Sequence, residues 1–321
     1  MSLALRRAPG RPGPDPPLAK AELHLHLEGT ATPALLRGFL PPGSAPLPAA
    51  LAGPLVGGLS GFLDRYRVLL DWLELPSAYG GLADAYLSHA PAQGIRHVEF
   101  TVSLGAALRR GRDPRAILES IAAAAARHRP RVTAAVLVDA VRQFGRDEAE
   151  ATLRAARGCA DLAIVVGFGL GGDERSVPAP EFARVFAAAR DAGLRTTVHA
   201  GEGAGPESVR AVLDSLAPER IAHGIAAARD AELLRRLADS GVPLDVCINS
   251  NLRTGVVASL AEHPLRALVD AGVRVTLSTD DPGLFEADLD EEYRLAARLG
   301  LDEVELRRLA AESLRGIRLA A

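Results

Sequence analysis

Eight short apolar segments, each followed by a stretch with helical spacing, constrain the fold of this chain more than any other feature. Continuous runs of β-branched and other apolar residues are typical of parallel strands that are buried on both faces. Eight alternations of strand and helix favour the α/β class, and within it a closed (β/α)8 TIM barrel over an open doubly wound sheet. The predicted strands span residues 21–27, 96–102, 132–138, 162–168, 195–199, 220–222, 243–247 and 273–278.

The connection between the first two predicted strands is longer than one crossover helix needs. It contains a Pro/Gly-rich stretch, LPPGSAPLPAALAGPLVGG, followed by the segment FLDRYRVLLDWLEL. The second segment places Phe62, Tyr66, Leu69 and Leu73 on one helical face. We therefore expect extra helices inserted after strand 1. Residues 40–75 either pack against the barrel or form a lid, because the first loop after a strand borders the mouth of a barrel.

Length, charge and cysteine content limit the class of protein. The chain of 321 residues suits one barrel domain, expected over 20–321, after a Pro- and Arg-rich flexible arm at 1–19 that does not resemble a secretory signal. The net charge of −3 argues against a nucleic-acid partner, and no apolar run predicts a membrane span. The two cysteines, Cys159 and Cys247, exclude a disulfide framework and favour a reducing, cytoplasmic location. The oligomeric state is left open.

Polar residues follow four of the predicted strands, where barrel active sites form. Strand 1, within ELHLHLEG, places two histidines on one face, because side chains alternate along a strand. Each residue alone has a structural explanation: a histidine can be a hydrogen-bonded core residue, DDP is common in turns and a glutamate can cap a helix. Their convergence favours a site, since a packed core has no reason to collect such polarity. The residues are His24, His26, His199, Glu202, His223, Asp280 and Asp281.

Imidazole and carboxylate ligands are typical of zinc, and a catalytic zinc keeps one position open for water. His24, His26, His199 and Asp280 predict such a site, with one Zn²⁺ per chain. Bound zinc can lower the pKa of its water to roughly 7. His223 is then placed to steer that water, and Glu202 to donate a proton. A second metal is not expected, because the fourth strand contains no lysine that could bridge two ions. No GxSxG or PCxxC motif supports serine or cytidine-deaminase chemistry.

The motifs HLHLEG, GLGGDE, HAGE, HG, SNLRTG and TDDPG occur in this order between Lys20 and Phe285. Together they resemble the adenosine deaminase family of the amidohydrolase superfamily. The resemblance implies a zinc barrel that adds water to C6 of a 6-aminopurine and releases ammonia. It implies the same four zinc ligands, with Asp280 also taking part in catalysis, Glu202 as proton donor to N1 and His223 as the residue that orients the attacking hydroxide. It also implies that Asp281 hydrogen-bonds N7 and that the backbone of Gly172 contacts N3.

Several departures from the family pattern fall around the part of the pocket that meets the purine substituent. Glu28 stands where adenosine deaminases usually have an aspartate that contacts the 5′ hydroxyl, so we expect it to bind substrate. Gly169 and Gly171 replace the Asp and Ala that the family often has, and strand 7 ends in CINSN rather than CPTSN. Glu28 also resembles the adenine and 6-aminodeoxyfutalosine branches. A benzoate on the latter substrate would need a cationic or donor-rich patch, and the many arginines do not single one out.

We therefore predict a zinc-dependent deaminase of a small-molecule 6-aminopurine nucleoside, either adenosine or 6-aminodeoxyfutalosine. The alternatives are an adenine deaminase and a barrel amidohydrolase that acts on a non-purine imine or amide. A non-catalytic binding module is disfavoured, because it would be expected to have lost Glu202 or His223. A structural zinc site is disfavoured as well, because such sites are usually closed by Cys and His.

Overall fold

The computed structural model describes residues 17–39 and 46–317, and its centre is a sheet of eight parallel strands in sequential order. The strands are β1 (Lys20–His26), β2 (Ile95–Val102), β3 (Thr133–Val141), β4 (Val165–Gly171), β5 (Arg195–Ala200), β6 (Arg220–His223), β7 (Leu244–Val246) and β8 (Val275–Leu277). Backbone hydrogen bonds join β1 to the segment after β8, from His26 N to Asp280 O at 2.8 Å and from Asp280 N to His24 O at 3.1 Å. The eight strands thus form the predicted (β/α)8 barrel, with its seam at a site residue.

Helices surround the strands. After β1 come α1 (Pro33–Phe39), α2 (Ala49–Ala52), α3 (Gly58–Trp72) and α4 (Pro76–His89). The helices α5 (Leu104–Arg109) and α6 (Pro114–His128) follow β2, and α7 (Arg146–Arg157), α8 (Ala183–Asp191), α9 (Pro206–Ser215) and α10 (Ala231–Ser240) follow β3 to β6. The remaining helices are α11 (Ile248–Arg253), α12 (Leu265–Asp270), α13 (Pro282–Phe285), α14 (Leu289–Arg298) and α15 (Glu303–Arg315). Extra helices after strand 1 were therefore predicted correctly. In the described part of the chain, none is long and apolar enough to cross a membrane.

The fourth strand begins three residues later than the apolar pattern predicts. Residues Ala160–Leu162 form a 3-10 turn, and Ala163 follows with a left-handed φ of 50°. Apolar residues continue through the turn into the strand, so hydrophobicity alone does not mark the boundary. The later start pairs Gly169 with Asp139 on β3 and carries β4 to Gly171. This register becomes important at the site.

A buried ionic network fills the barrel near the amino ends of the strands. Arg195 and Arg220, the first residues of β5 and β6, lie 3.0 Å and 2.6 Å from the two carboxylate oxygens of Glu99. The Nε atom of Arg220 also lies 2.9 Å from Oδ2 of Asp245. Such charges are tolerated only when they are paired and hydrogen-bonded. The main-chain carbonyl of Asp245 lies 3.5 Å from Nδ1 of His24, so this network supports the polar cluster at the other end of the barrel.

The helix α3 has the predicted apolar face. Phe62, Leu69 and Leu73 are buried, Tyr66 is partly buried, and the Phe62 ring lies 4.9 Å from that of Phe285. The helix packs against the barrel and also lines its mouth. Whether it moves as a lid stays a prediction. Residues 40–45 of the proposed lid and 1–16 of the proposed arm lie outside the described residues.

Candidate active site

Three imidazoles and one carboxylate converge at the carboxyl ends of β1, β5 and β8. The Nε2 atom of His199 lies 3.2 Å from Nε2 of both His24 and His26. Oδ1 of Asp280 lies 3.3 Å from the same two Nε2 atoms of β1. All four side chains are buried, so four polar groups face one small, enclosed volume.

The separations within this cluster fit one metal ion. Ligand atoms about 2.1 Å from a common zinc lie about 3.0 to 3.4 Å apart, which matches the 3.2 Å and 3.3 Å measured here. Burial lowers the pKa of His26 to about 4 and that of His199 well below its usual range. These imidazoles are therefore neutral, which is the form that binds metals. Overlapping groups of donors here could hold a metal: His24, His199 and Asp280 together with His223, and His26 together with Asp280 and Asp281.

Backbone geometry aims two of these residues into the barrel. His223 is the last residue of β6 and Asp280 lies three residues after β8, with φ values of 62° and 64°. Non-glycine residues rarely adopt this left-handed region, and such strain is concentrated at functional sites. Asp280 is held further by Ser250, whose Oγ donates to Oδ2 at 2.6 Å. Although burial opposes ionisation, the hydrogen bond and charge of His24 hold the pKa of Asp280 well below its usual range.

Glu202 and His223 stand together beside the cluster. Nε2 of His223 lies 3.6 Å from Oε2 of Glu202 and 3.9 Å from Oδ2 of Asp280. Burial, reinforced by the negative charges of Asp280 and Glu174, raises the pKa of Glu202 well above its usual range. The raised pKa favours the protonated form, which is the form that a general acid needs.

Sequence reasoning missed the residue that fixes the backbone around Glu202. The carboxylate of Glu174 accepts hydrogen bonds from the N–H groups of Gly201, Glu202 and Gly203 at 2.6, 2.8 and 2.8 Å, and from Oγ of Ser208 at 2.6 Å. Four donors on one carboxylate make a rigid loop. The GLGGDE motif contains Glu174, but nothing in the pattern indicates that it contacts the loop after β5.

The three residues that the resemblance assigns to substrate contact occupy different environments. Asp281 lines the cavity and is buried, and burial followed by the charge of Asp280 raises its pKa well above its usual range. Gly172 also lines the cavity, with a φ of 93° that favours glycine. Glu28 lies behind the lining residues Ser103 and Tyr66. It accepts from Ser103 N at 2.9 Å and from the Tyr66 hydroxyl at 3.1 Å.

A second missed residue, Asp139, explains the two glycines that depart from the family pattern. A Cβ at Gly169 would lie 2.5 Å from Oδ1 of Asp139, and one at Gly171 would lie 2.6 Å from Oδ2. The latter would also lie 3.4 Å from Nδ1 of His199. Only glycine leaves room for this carboxylate between β3 and β5. Burial raises the pKa of Asp139 to about 8.

The cluster opens into a cavity of about 1440 Å³. Its lining near the cluster includes Tyr66, Asp139, Gly172, Glu202 and Asp281. Five arginines also line it, on helices and loops that follow different strands: Arg67, Arg109, Arg110, Arg175 and Arg229. This volume exceeds the roughly 300 to 1,000 Å³ that is common for small-ligand sites. The cavity can therefore accept a molecule larger than a bare heterocycle.

Comparison with known proteins gives the family. The family model described as adenosine deaminase matches residues 19–321, which is most of the chain. The chain belongs to the adenosine deaminase family. It is 38% identical over 302 residues to an adenine deaminase from Chelativorans sp. (strain BNC1), covering 92% of this chain and 93% of the relative. It is also 38% identical over 309 residues to an aminodeoxyfutalosine deaminase from Streptomyces avermitilis, covering 92% of this chain and 86% of the relative.

Solved structures agree with this assignment. The crystal structure of an adenine deaminase from Arthrobacter aurescens has a TM-score of 0.84 and 32% identity, covering 94% of this chain and 93% of that one. A zinc-bound amidohydrolase from Burkholderia ambifaria also has a TM-score of 0.84, with 25% identity and coverage of 94% and 85%. This member of the adenosine deaminase family is a metal-dependent aminohydrolase, and the predicted reaction class is confirmed.

Proposed function

We propose that this deaminase uses one zinc ion to hydrolyse a 6-aminopurine nucleoside to the 6-oxo purine and ammonia. The observation that carries the proposal is the placement of Glu202 and His223 beside the four-ligand cluster. Nε2 of His223 lies 3.6 Å from Glu202 and 3.9 Å from Asp280, so a proton donor and an orienting imidazole face the same point. Zinc in a structural neighbour supports the choice of metal.

The zinc would be held by His24, His26, His199 and Asp280. When bound, it would lower the pKa of the water that attacks the ring. Glu202 donates its proton to N1 and thereby makes C6 more electrophilic. His223 orients the attacking water towards C6. The water oxygen adds to C6, and its two protons end on N1, through Glu202, and on the departing ammonia. The product is the 6-oxo purine.

The remaining residues bind the purine edge. N7 and N3 of a purine are acceptors, so the protein must supply donors to them. Burial raises the pKa of Asp281 well above its usual range, which favours the protonated form that can donate to N7. The backbone N–H of Gly172 donates to N3. A cavity of about 1440 Å³ leaves space for a sugar and a substituent beyond the base.

The group attached to the purine distinguishes the branches of the family from one another. The relatives named above act, by their names, on adenine or on aminodeoxyfutalosine. The large cavity and the arginines in its lining favour a nucleoside with an extended, anionic substituent over free adenine. Adenine deamination is the second candidate, because several similar relatives carry that name.

The test is the activity of zinc-loaded protein on adenosine, 6-aminodeoxyfutalosine, adenine and 5′-methylthioadenosine. The change in purine ultraviolet absorbance and the release of ammonia are followed together, with the Arg109→Ala and Arg229→Ala variants in parallel. We expect the highest kcat/KM for a nucleoside and a rise in KM in these variants only for an anionic one. Preference for adenine would support the second candidate. Turnover of none of the four would exclude the purine assignment.

A further inference from the structure

Behind His223, two buried side chains form a hydrogen-bonded chain that the sequence motifs do not explain. Nδ2 of Asn251 lies 3.3 Å from Nδ1 of His223, and Oδ1 of Asn251 lies 3.2 Å from Nε2 of His263. The backbone N–H of Leu265 donates to Nδ1 of His263 at 3.2 Å. His223, Asn251 and His263 are all buried, so water does not compete for these groups.

The direction of every hydrogen bond in this chain follows from one group that can only donate, the backbone N–H of Leu265. A backbone N–H can only donate, so Nδ1 of His263 must accept from Leu265. A neutral imidazole with an accepting Nδ1 carries its proton on Nε2. Burial lowers the pKa of His263 to about 4, which keeps this imidazole neutral at neutral pH. Nε2–H of His263 therefore donates to Asn251.

The same logic continues to His223. The atom of Asn251 that accepts from His263 must be its carbonyl oxygen, so its amide nitrogen faces His223. This nitrogen is only a donor, hence Nδ1 of His223 accepts. The proton of His223 then resides on Nε2. This is the atom 3.6 Å from Glu202 and 3.9 Å from Asp280.

We propose that Asn251 and His263 are positioning residues that fix His223 in the Nε2–H tautomer. In this tautomer Nε2–H of His223 donates a hydrogen bond to the oxygen of the attacking water. The fixed N–H thereby orients that water. In this tautomer Nε2 has no lone pair with which to take a proton from the water. The catalytic consequence rests on the proposed deamination, whereas the tautomer itself does not.

The first measurement is the tautomeric state of His223 in protein labelled with ¹⁵N-histidine, from long-range ¹H–¹⁵N correlations near pH 7. A His223→Gln variant identifies the resonance by its loss. We expect Nδ1 of His223 to show the shift of an unprotonated nitrogen and Nε2 that of an N–H. A His223 with its proton on Nδ1, or on both nitrogens, would overturn the proposal without bearing on deaminase activity.

Two variants then separate positioning from packing. Asn251→Asp, when ionised, offers only acceptors and should move the proton of His223 to Nδ1. His263→Leu removes the donor to Asn251, whereas His263→Gln retains an amide N–H at a similar position. We expect kcat to fall about 10- to 100-fold in Asn251→Asp and His263→Leu, by analogy with residues that orient metal-ligating histidines through a hydrogen bond. KM and zinc content should stay close to those of the unmodified protein.

His263→Gln should restore most of kcat, and the exposed His89→Leu on α4 serves as the control for loss of a histidine. Folding of each variant is checked by its thermal unfolding midpoint, and the tautomer of the unmodified protein remains informative if a variant is unstable. A His263→Leu variant that unfolds normally and keeps both the Nε2–H tautomer and full kcat would contradict the role of His263. An unchanged tautomer in Asn251→Asp would contradict that of Asn251.

Discussion

The hydroxyl of Tyr66 donates to Oε2 of Glu28 at 3.1 Å, joining α3 to the segment after β1. The resemblance to adenosine deaminases assigns position 28 to substrate contact, but here its carboxylate is fully buried behind Tyr66. Tyr66 itself lines the cavity, and its ring centroid lies 6.0 Å from that of His26. The longer glutamate thus holds an aromatic wall of the pocket. We infer that its influence on substrate is exerted through Tyr66.

Loss of this bond should loosen the pocket wall. We expect Tyr66→Phe to lower the free energy of unfolding by about 1 kcal/mol, the usual net contribution of a hydrogen bond, and to raise KM more than it lowers kcat. Chemical denaturation and steady-state kinetics of Tyr66→Phe, Glu28→Gln and the double variant measure the coupling. If the two effects simply add, the bond does not link these residues energetically.

Glu202→Gln should retain zinc and lose most turnover. A glutamine keeps the shape of the side chain but has no acidic proton, and general acid–base groups typically contribute about 100-fold to 10,000-fold. Metal analysis and kcat are measured on the same preparation. Near-full activity of the variant would remove Glu202 from its role as proton donor.

Zinc content distinguishes the two possible ligand sets. Nε2 of His26 lies 3.2 Å from Nε2 of His199 and 3.3 Å from Oδ1 of Asp280. Nε2 of His223 lies 3.9 Å from the other oxygen, Oδ2, of Asp280. We expect His26→Ala and His199→Ala to lose zinc, and His223→Ala to retain it while losing activity. Dialysed variants are compared by elemental analysis. Zinc retained by His26→Ala and lost by His223→Ala would make His223 the ligand instead.

The space occupied by Asp139 predicts the cost of a methyl group on β4. A Cβ at Gly171 would lie 2.6 Å from the Asp139 carboxylate, so Gly171→Ala should reduce the free energy of unfolding by about 1 to 3 kcal/mol, as overpacking does. The double variant Gly171→Ala with Asp139→Ala should recover part of this loss. Gly38→Ala is the control, because a Cβ there would meet no atom of the described residues within 4 Å. Equal stability of all variants would show that the Asp139 side chain can move aside without a cost in stability.

His263 predicts one component of the acid sensitivity of the fold. Burial lowers its pKa to about 4, against about 6.5 in the unfolded chain, so the unfolded state binds the additional proton between these values. The stability from this group is complete above pH 6.5 and is lost as the pH falls towards 4, with a slope of at most about 1.4 kcal/mol per pH unit. Denaturation of metal-free protein between pH 4.5 and 7.5 should show a smaller slope in His263→Gln. Identical slopes would mean that His263 does not titrate on unfolding.

Sequence by itself determined the barrel and the chemistry it can carry. Eight apolar segments and their helices specify the architecture, because burial on both faces requires continuous apolar strands. Local residue types also supplied the histidines and carboxylates of the site. The boundary of β4 could not be predicted, since apolar residues run through the turn before it and the turn at Ala163 depends on backbone geometry.

Only the tertiary structure decided which residues support the site from a distance. Asp139 on β3 meets Gly169 on the neighbouring strand β4, Glu174 binds the loop that carries Glu202, and His263 contacts Asn251 behind His223. The tertiary structure also decided that the carboxylate of Glu28 accepts a hydrogen bond from Tyr66. These contacts join residues far apart in the chain or depend on side-chain direction, so they arise from register and packing. Periodicity reports which face a residue occupies, but not which partner it meets there.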